Sequence, residues 1–312
     1  MHLLDTVKQH LIKIKSRLSK EYHTDNLDHR LIAWSHKPES VNLSKWWQQG
    51  IPNIDDVMHG AIHPKSKTLK WFGMDNETCF DSITKPHNKW HYTKDNVNYT
   101  FNSIGYRGDE PNQESDYTVL VVGDSHGFGV GLDDKEIWAH QFKKLLQQQY
   151  PNCKVINLSC PGGSNDWISR AVSCAYDTIK PDCVIVCYTY PNRREAIWDS
   201  GFLWQLNTTI PENPVQSEYE EFQSWFMTIN EHTDNYNLIK NQTLIKKTCR
   251  DTLLLESNVL LLGLVQRSLG SIYSITDVAR DCKHYGPRVH KQYAKELYQK
   301  FCTLQNNQQK LK

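Results

Sequence analysis

Four short runs rich in β-branched and apolar residues dominate the sequence: Thr118 to Gly123 (TVLVVG), Lys154 to Leu158 (KVINL), Cys183 to Thr189 (CVIVCYT) and Asn258 to Leu264 (NVLLLGL). Each is bounded by turn residues and shows no polar alternation, the pattern of strands buried on both faces. Helical periodicity falls between and after them, at about 134–149, about 165–178, about 217–257 in two or more pieces, and about 287–302 behind Pro287, where a proline suits a first helical turn. Strand alternating with helix predicts an α/β fold: a three-layer α/β/α sandwich around a mainly parallel sheet. In such sheets the ligand crevice lies beyond the C-terminal strand ends. Functional residues are therefore expected directly after each strand.

The text before the first run is different. Leu4, Val7, Leu11, Ile14 and Leu18 recur at spacings of three and four, predicting an amphipathic helix over 3–20. It either docks on its own domain or, as the alternative, joins copies into an oligomer. Residues 21–113 show no sustained period and only strand-like pieces at Leu69 to Phe72 and Asn98 to Asn102. This divides the chain into an N-terminal helix and irregular extension, 1–113, and a sheet domain, 114–312.

Lysine and arginine total 36 against 35 aspartates and glutamates, so no net field draws the chain to nucleic acid. No stretch approaches the roughly 18 apolar residues of a spanning helix, and charges at Asp5, Lys8, Lys13 and Lys15 break any signal-peptide core. A cytoplasmic protein that neither enters a membrane nor binds nucleic acid is expected. The nine cysteines are odd in number, and several lie in the apolar runs, as reduced core residues do. No CxxC occurs; His59 with His63 and His87 with His91 have i,i+4 spacing but lack the glutamate of HExxH. No metal site is expected.

The chemistry-bearing residues do follow the strands. Gly123-Asp124-Ser125-His126-Gly127 turns the chain sharply off the first strand, which leaves a serine Oγ exposed and its N–H near a helix start. The glycines at 123, 127, 129 and 131 fit neither GxGxxG nor GK[ST]. After the second strand, Gly162 and Gly163 allow close backbone approach, and Ser164 or Asn165 suits a helix N-cap. After the third, Asn192 offers an uncharged amide donor. Arg193, Arg194 and Glu195 read either as an anion-binding group or as a salt-bridged corner. Before the last helix, Asp281 stands three residues ahead of His284, a spacing that lets a carboxylate hold one imidazole nitrogen and leave the other as a base.

In this order the segments resemble the SGNH superfamily of GDSL-type hydrolases, whose blocks are GDS, a glycine after the second strand, GxND, and DxxH. The upstream phrase Asn102-Ser103-Ile104-Gly105-Tyr106-Arg107-Gly108 is similar to the NxxGxRG segment of that superfamily. The likeness covers about 100–302. It implies a flavodoxin-like sheet, Ser125 as nucleophile, His284 as base, Asp281 as its orienting carboxylate, and an oxyanion hole of Ser125, Gly162 and Asn192. Two departures stand out: the third block reads Tyr190-Pro191-Asn192-Arg193, without the glycine and aspartate, and the first reads GDSH. His126 and Arg193 are the substrate-binding candidates.

The resemblance implies serine ester hydrolysis with no cofactor. Removal of a short acyl group, acetyl, from a saccharide is the favoured activity, with tryptophans at 46, 47, 71, 90, 138, 167 and 198 as candidate sugar-stacking surfaces beside plain core packing. The alternatives are a lipid or thioester hydrolase, an acyl transferase using the same serine, and a non-catalytic saccharide-binding or structural protein, for instance virion-associated, that keeps the fold.

Overall fold

The structure, a computed structural model, describes residues 64–83, 90–197, 203–206, 227–268 and 277–311, all within the unit Trp47–Lys312. The expected helix at 3–20, His59, His63 and His87, and Trp46, Trp47 and Trp198 lie outside the described residues. The described chain opens with β1 (Thr68–Leu69), α1 (Glu77–Ser82) and β2 (Tyr99–Thr100). It continues through β3 (Tyr117–Val122), α2 (Ser125–Phe128), α3 (Trp138–Leu146), β4 (Cys153–Asn157), α4 (Asn165–Ile179) and β5 (Cys183–Tyr188). The antiparallel pair β6 (Arg194–Ile197) and β7 (Leu203–Leu206) follows. Then come α5 (Glu231–Thr248), β8 (Leu253–Asn258), α6 (Val259–Ser268) and α7 (Pro287–Leu311).

Strands β4, β3, β5 and β8 form one parallel sheet in that order. The first sheet strand thus lies inside, with its successor on one side and the next two on the other, as in flavodoxin-like sheets. Every residue of β3 and β5 is buried, and their side chains alternate between two cores. Val119, Val121, Ile185 and Cys187 face α3 and α7, whereas Leu120, Val122, Val184 and Val186 face Ile168, Ala171 and Val172 of α4. The α/β sandwich expected from the sequence is the fold observed, and both faces of its central strands are covered.

One strand is misplaced in the sequence reading. The run Asn258 to Leu264, read as the fourth strand, is mostly helix α6; the strand is β8, five residues earlier, inside a stretch read as helical. Alternating burial marks β8 as half-covered. A continuous apolar run, by contrast, is ambiguous between buried strand and buried helix, and Leu260 to Leu264 contains no β-branched residue.

The segment before β3 is also more than an appendage. Trp90, Tyr92, Val97, Tyr99 and Phe101 share one buried cluster with Val119, Val121, Phe128, Trp138 and Tyr293. Packing therefore runs unbroken across the boundary read at residue 113. Arg107, fully buried, donates to the carbonyls of Phe128, Gly129 and Leu132 and pairs with Asp134 at 2.6 Å, so the NxxGxRG phrase ties the extension to the loop behind α2.

Candidate active site

Leaving β3, the chain turns at Gly123 and enters α2. Asp124 caps this helix, its Oδ1 accepting from His126 N at 2.9 Å. A cap satisfies one of the orphan donors of the first turn, and Ser125 follows as the first helical residue, largely buried. The other carboxylate oxygen of Asp124 accepts from Thr189 Oγ1 at 2.7 Å and from Arg193 Nη1 at 3.1 Å. One carboxylate with no exposed surface thus ties the turn after β3 to the segment after β5.

The second element is the loop before α7, closed by a bridge between Val278 and Tyr285 and by Ala279 N donating to His284 O at 2.9 Å. Asp281 Oδ1 accepts from the backbone N–H groups of Lys283 and His284, each at 3.1 Å. Its Oδ2 lies 2.6 Å from His284 Nδ1. Burial raises the Asp281 pKa, but the hydrogen bond and charge of His284 and the two backbone N–H groups outweigh it, leaving the carboxyl below its ordinary value. An ionised carboxylate only accepts, so His284 Nδ1 carries the proton that faces Asp281, which directs any acceptor role to Nε2.

These two elements meet. Arg280 N donates to Gly131 O at 2.9 Å, and the His126 ring stands 5.0 Å from the His284 ring, at an interplanar angle of 63°, and 5.0 Å from that of Tyr285. His126 is itself buried, and its Nδ1 has no hydrogen-bond partner among the described residues. Burial pushes its pKa down to about 4, so it sits beside His284 as a neutral ring. Ser125 Oγ makes no hydrogen bond to His284 among the described residues; the two occupy adjoining loops, and proton transfer requires them to close to hydrogen-bond distance.

The three expected oxyanion donors have no hydrogen-bond partner among the described residues. Gly162, at φ +77° with open space where a Cβ would stand, keeps its N–H free, whereas Gly163 N donates to Cys160 O at 2.9 Å. Ser125 N–H and the half-buried Asn192 side chain likewise have no intramolecular partner among the described residues. Ser164, not Asn165, caps α4, accepting from Trp167 N at 3.1 Å. Asn165, fully buried, instead locks the end of β5, with Oδ1 accepting from Thr189 N at 3.0 Å and Nδ2 donating to Thr189 O at 3.2 Å.

The Arg-Arg-Glu stretch forms a salt-bridged corner. Arg193 meets Asp124 at 3.1 Å, Arg194 meets Asp234 at 2.7 Å, and Glu195 meets the buried Arg170 at 2.6 Å. Arg193 also lies 5.3 Å from the Tyr190 ring. Of the tryptophans whose side chains are described, Trp90, Trp138 and Trp167 are buried, and the half-buried Trp71 stacks 3.8 Å from the Arg280 guanidinium. Tyr190, 41% exposed, is the aromatic side chain left open just after β5. Sequence reasoning passed over it and over Thr189, whose one readable signal is position directly after a buried strand.

No family model and no curated protein matches the sequence. Among solved structures, the chain is similar to a lipolytic protein of the G-D-S-L family from Desulfitobacterium hafniense, with 13% identity, 59% of this chain and 99% of that chain covered, and a TM-score of 0.33. It is also similar to a psychrotrophic esterase from Pseudoalteromonas, at 16% identity over 61% of this chain and 100% of that chain, with a TM-score of 0.33. An acetyl-xylooligosaccharide esterase from Geobacillus matches at 15% identity over 59% of this chain and 93% of that chain, with a TM-score of 0.28.

Proposed function

We propose that this chain is an ester hydrolase of the SGNH type, working through Ser125, His284 and Asp281. The observation that supports it most is the 2.6 Å Asp281–His284 pair, carried on a loop that is bonded to the turn behind Ser125 through Arg280 N and Gly131 O at 2.9 Å and that sets the His284 ring 5.0 Å from the ring of His126. His284 Nε2 takes the proton as Ser125 Oγ attacks the ester carbonyl, and Asp281 stabilises the imidazolium. The N–H groups of Ser125 and Gly162 and the Asn192 amide hold the oxyanion, each worth about 3 kcal/mol of barrier lowering. His284 then protonates the leaving alcohol. Water, activated by the same imidazole, releases the acid and restores the serine.

The preferred substrate is a short acyl ester, acetyl, on a saccharide. The residues around the two loops and the end of β5, His126, Tyr190, Asn192, Arg193 and Tyr285, offer hydrogen-bonding groups and one exposed ring face, which suits a sugar. A lipid or thioester substrate is the second reading, favoured by one feature. Leu260 and Leu264 of α6 are exposed, and a Cβ on Gly263 between them would stand 3.0 Å from Tyr285 Oη, so an apolar ridge flanks the base loop.

Acetyl release from p-nitrophenyl acetate and acetylated xylose, by wild type, Ser125→Ala and His284→Ala near pH 8, tests the proposal. Activity abolished by both substitutions is the expected result. A rate that climbs with acyl length on p-nitrophenyl esters selects the lipid reading. Failure to turn over any ester or to label with a fluorophosphonate leaves the chain a binding protein.

A further inference from the structure

The base loop and the nucleophile turn are joined by a closed ring of buried hydrogen bonds that passes through the segment before β3. Gly131, just beyond α2, takes part with both backbone groups: its O accepts from Arg280 N at 2.9 Å, and its N donates to Tyr99 Oη at 2.7 Å. Tyr99 Oη donates in turn to Asp75 Oδ2 at 2.5 Å. Asp75 completes the ring by accepting from Arg280, with Nε at 3.0 Å from Oδ1 and Nη2 at 2.7 Å from Oδ2. Asp75, Tyr99 and Arg280 are at most 1% exposed, so water does not compete for these bonds.

The neighbouring contacts hold the ring rigid. Arg280 Nη2 also donates to Lys70 O, its guanidinium stacks on Trp71 at 3.8 Å, and Trp90 Nε1 donates to Ala279 O at 3.4 Å. Gly131 is at φ +75°, and a Cβ there would stand 2.8 Å from Ala279 Cβ and 3.1 Å from Asp281 N. Arg280 directly precedes Asp281, so anchoring its guanidinium and its backbone N–H restrains the backbone that carries the carboxylate orienting His284. A buried, bidentate arginine–carboxylate pair is a weak source of net stability, because desolvation offsets much of its attraction. Its geometric specificity is what distinguishes it from an apolar contact.

We infer that Asp75 is a positioning residue: through Arg280 and Tyr99 its carboxylate sets the Asp281–His284 pair against the Ser125 turn. The segment before β3 would thereby be part of the catalytic apparatus without touching substrate. This inference rests on the hydrolase reading for its kinetic consequence but not for its structural one, and both can be measured.

Two variants separate positioning from folding. Tyr99→Phe cuts the ring at its neutral member, and the double substitution Asp75→Leu with Arg280→Met replaces the ion pair by apolar side chains, an exchange that leaves stability intact in other buried pairs. Near-UV circular dichroism and urea unfolding report the fold. The kinetic readout is kcat and KM on p-nitrophenyl acetate, and the spectroscopic one is the low-field proton resonance of His284 Nδ1–H, assigned by its loss in His284→Gln. We expect both variants to fold, with kcat lower by about tenfold or more, as displacements of well under 1 Å produce, KM within about twofold, and the low-field resonance broadened or shifted. Wild-type kcat and an unmoved resonance in folded Tyr99→Phe would overturn the inference whether or not the double variant folds. If wild type turns over no ester but the resonance still responds, the hydrolase reading fails and the positioning ring stands.

Discussion

Replacing His126 by phenylalanine should flatten the acid limb of the stability curve. The imidazole is buried and Nδ1 has no partner among the described residues; burial, its largest influence, is opposed by the Asp124 and Asp281 carboxylates and reinforced by His284 and Arg193, and the balance drops the pKa from 6.5 to about 4. In the native state the ring is therefore neutral where the unfolded chain already binds a proton. Stability rises with pH wherever the unfolded state holds more protons, so His126 costs nothing above pH 6.5 and destabilises progressively as pH falls toward 4. About two and a half pH units at about 1.4 kcal/mol each give about 3 kcal/mol. His140 and His290, whose pKa values are also lowered chiefly by burial, add to the wild-type slope; that of His140 cancels in the comparison, as does the burial share of His290, whose smaller share from the His126 charge is removed with His126. The Asp281 carboxyl, held below 3.8, contributes stability that is lost only at still lower pH. Phenylalanine preserves the ring contacts with His284 and Tyr285 and removes the titration. Urea unfolding from pH 7 to pH 4 should show wild type losing about 3 kcal/mol more than His126→Phe. Parallel curves for the two proteins would refute the assignment of His126 as a buried neutral imidazole.

Two further substitutions follow from the same geometry. Arg193→Met leaves the fully buried Asp124 without its guanidinium; a loss of about 3 kcal/mol in urea unfolding is expected, with partial recovery when Asp124→Asn is added. Gly131→Ala forces a Cβ to within 2.8 Å of Ala279 Cβ at a φ of +75°, so thermal unfolding should show a cost of at least about 2 kcal/mol, and ester hydrolysis should fall with it.

Much of this protein is legible along the chain because its signals are local. A buried strand announces itself by unbroken β-branched residues, and β3, β4 and β5 stand within a residue of where the runs place them. Chemistry after a strand is equally local: the turn into α2, the open glycine at 162 and the three-residue spacing of Asp281 and His284 depend on neighbours a few positions away. What the sequence by itself determined, then, was the layered α/β architecture and the end of the sheet at which the candidate residues gather. Only the tertiary structure decided that β8 precedes its apolar run rather than occupying it, because helix and strand bury leucines equally well when both faces are covered. It alone paired Asp75 with Arg280 across 205 positions and Arg193 with Asp124 across 69. A charge buried by folding must find a partner, but which one depends on distances in space, and nothing in a local spacing records them.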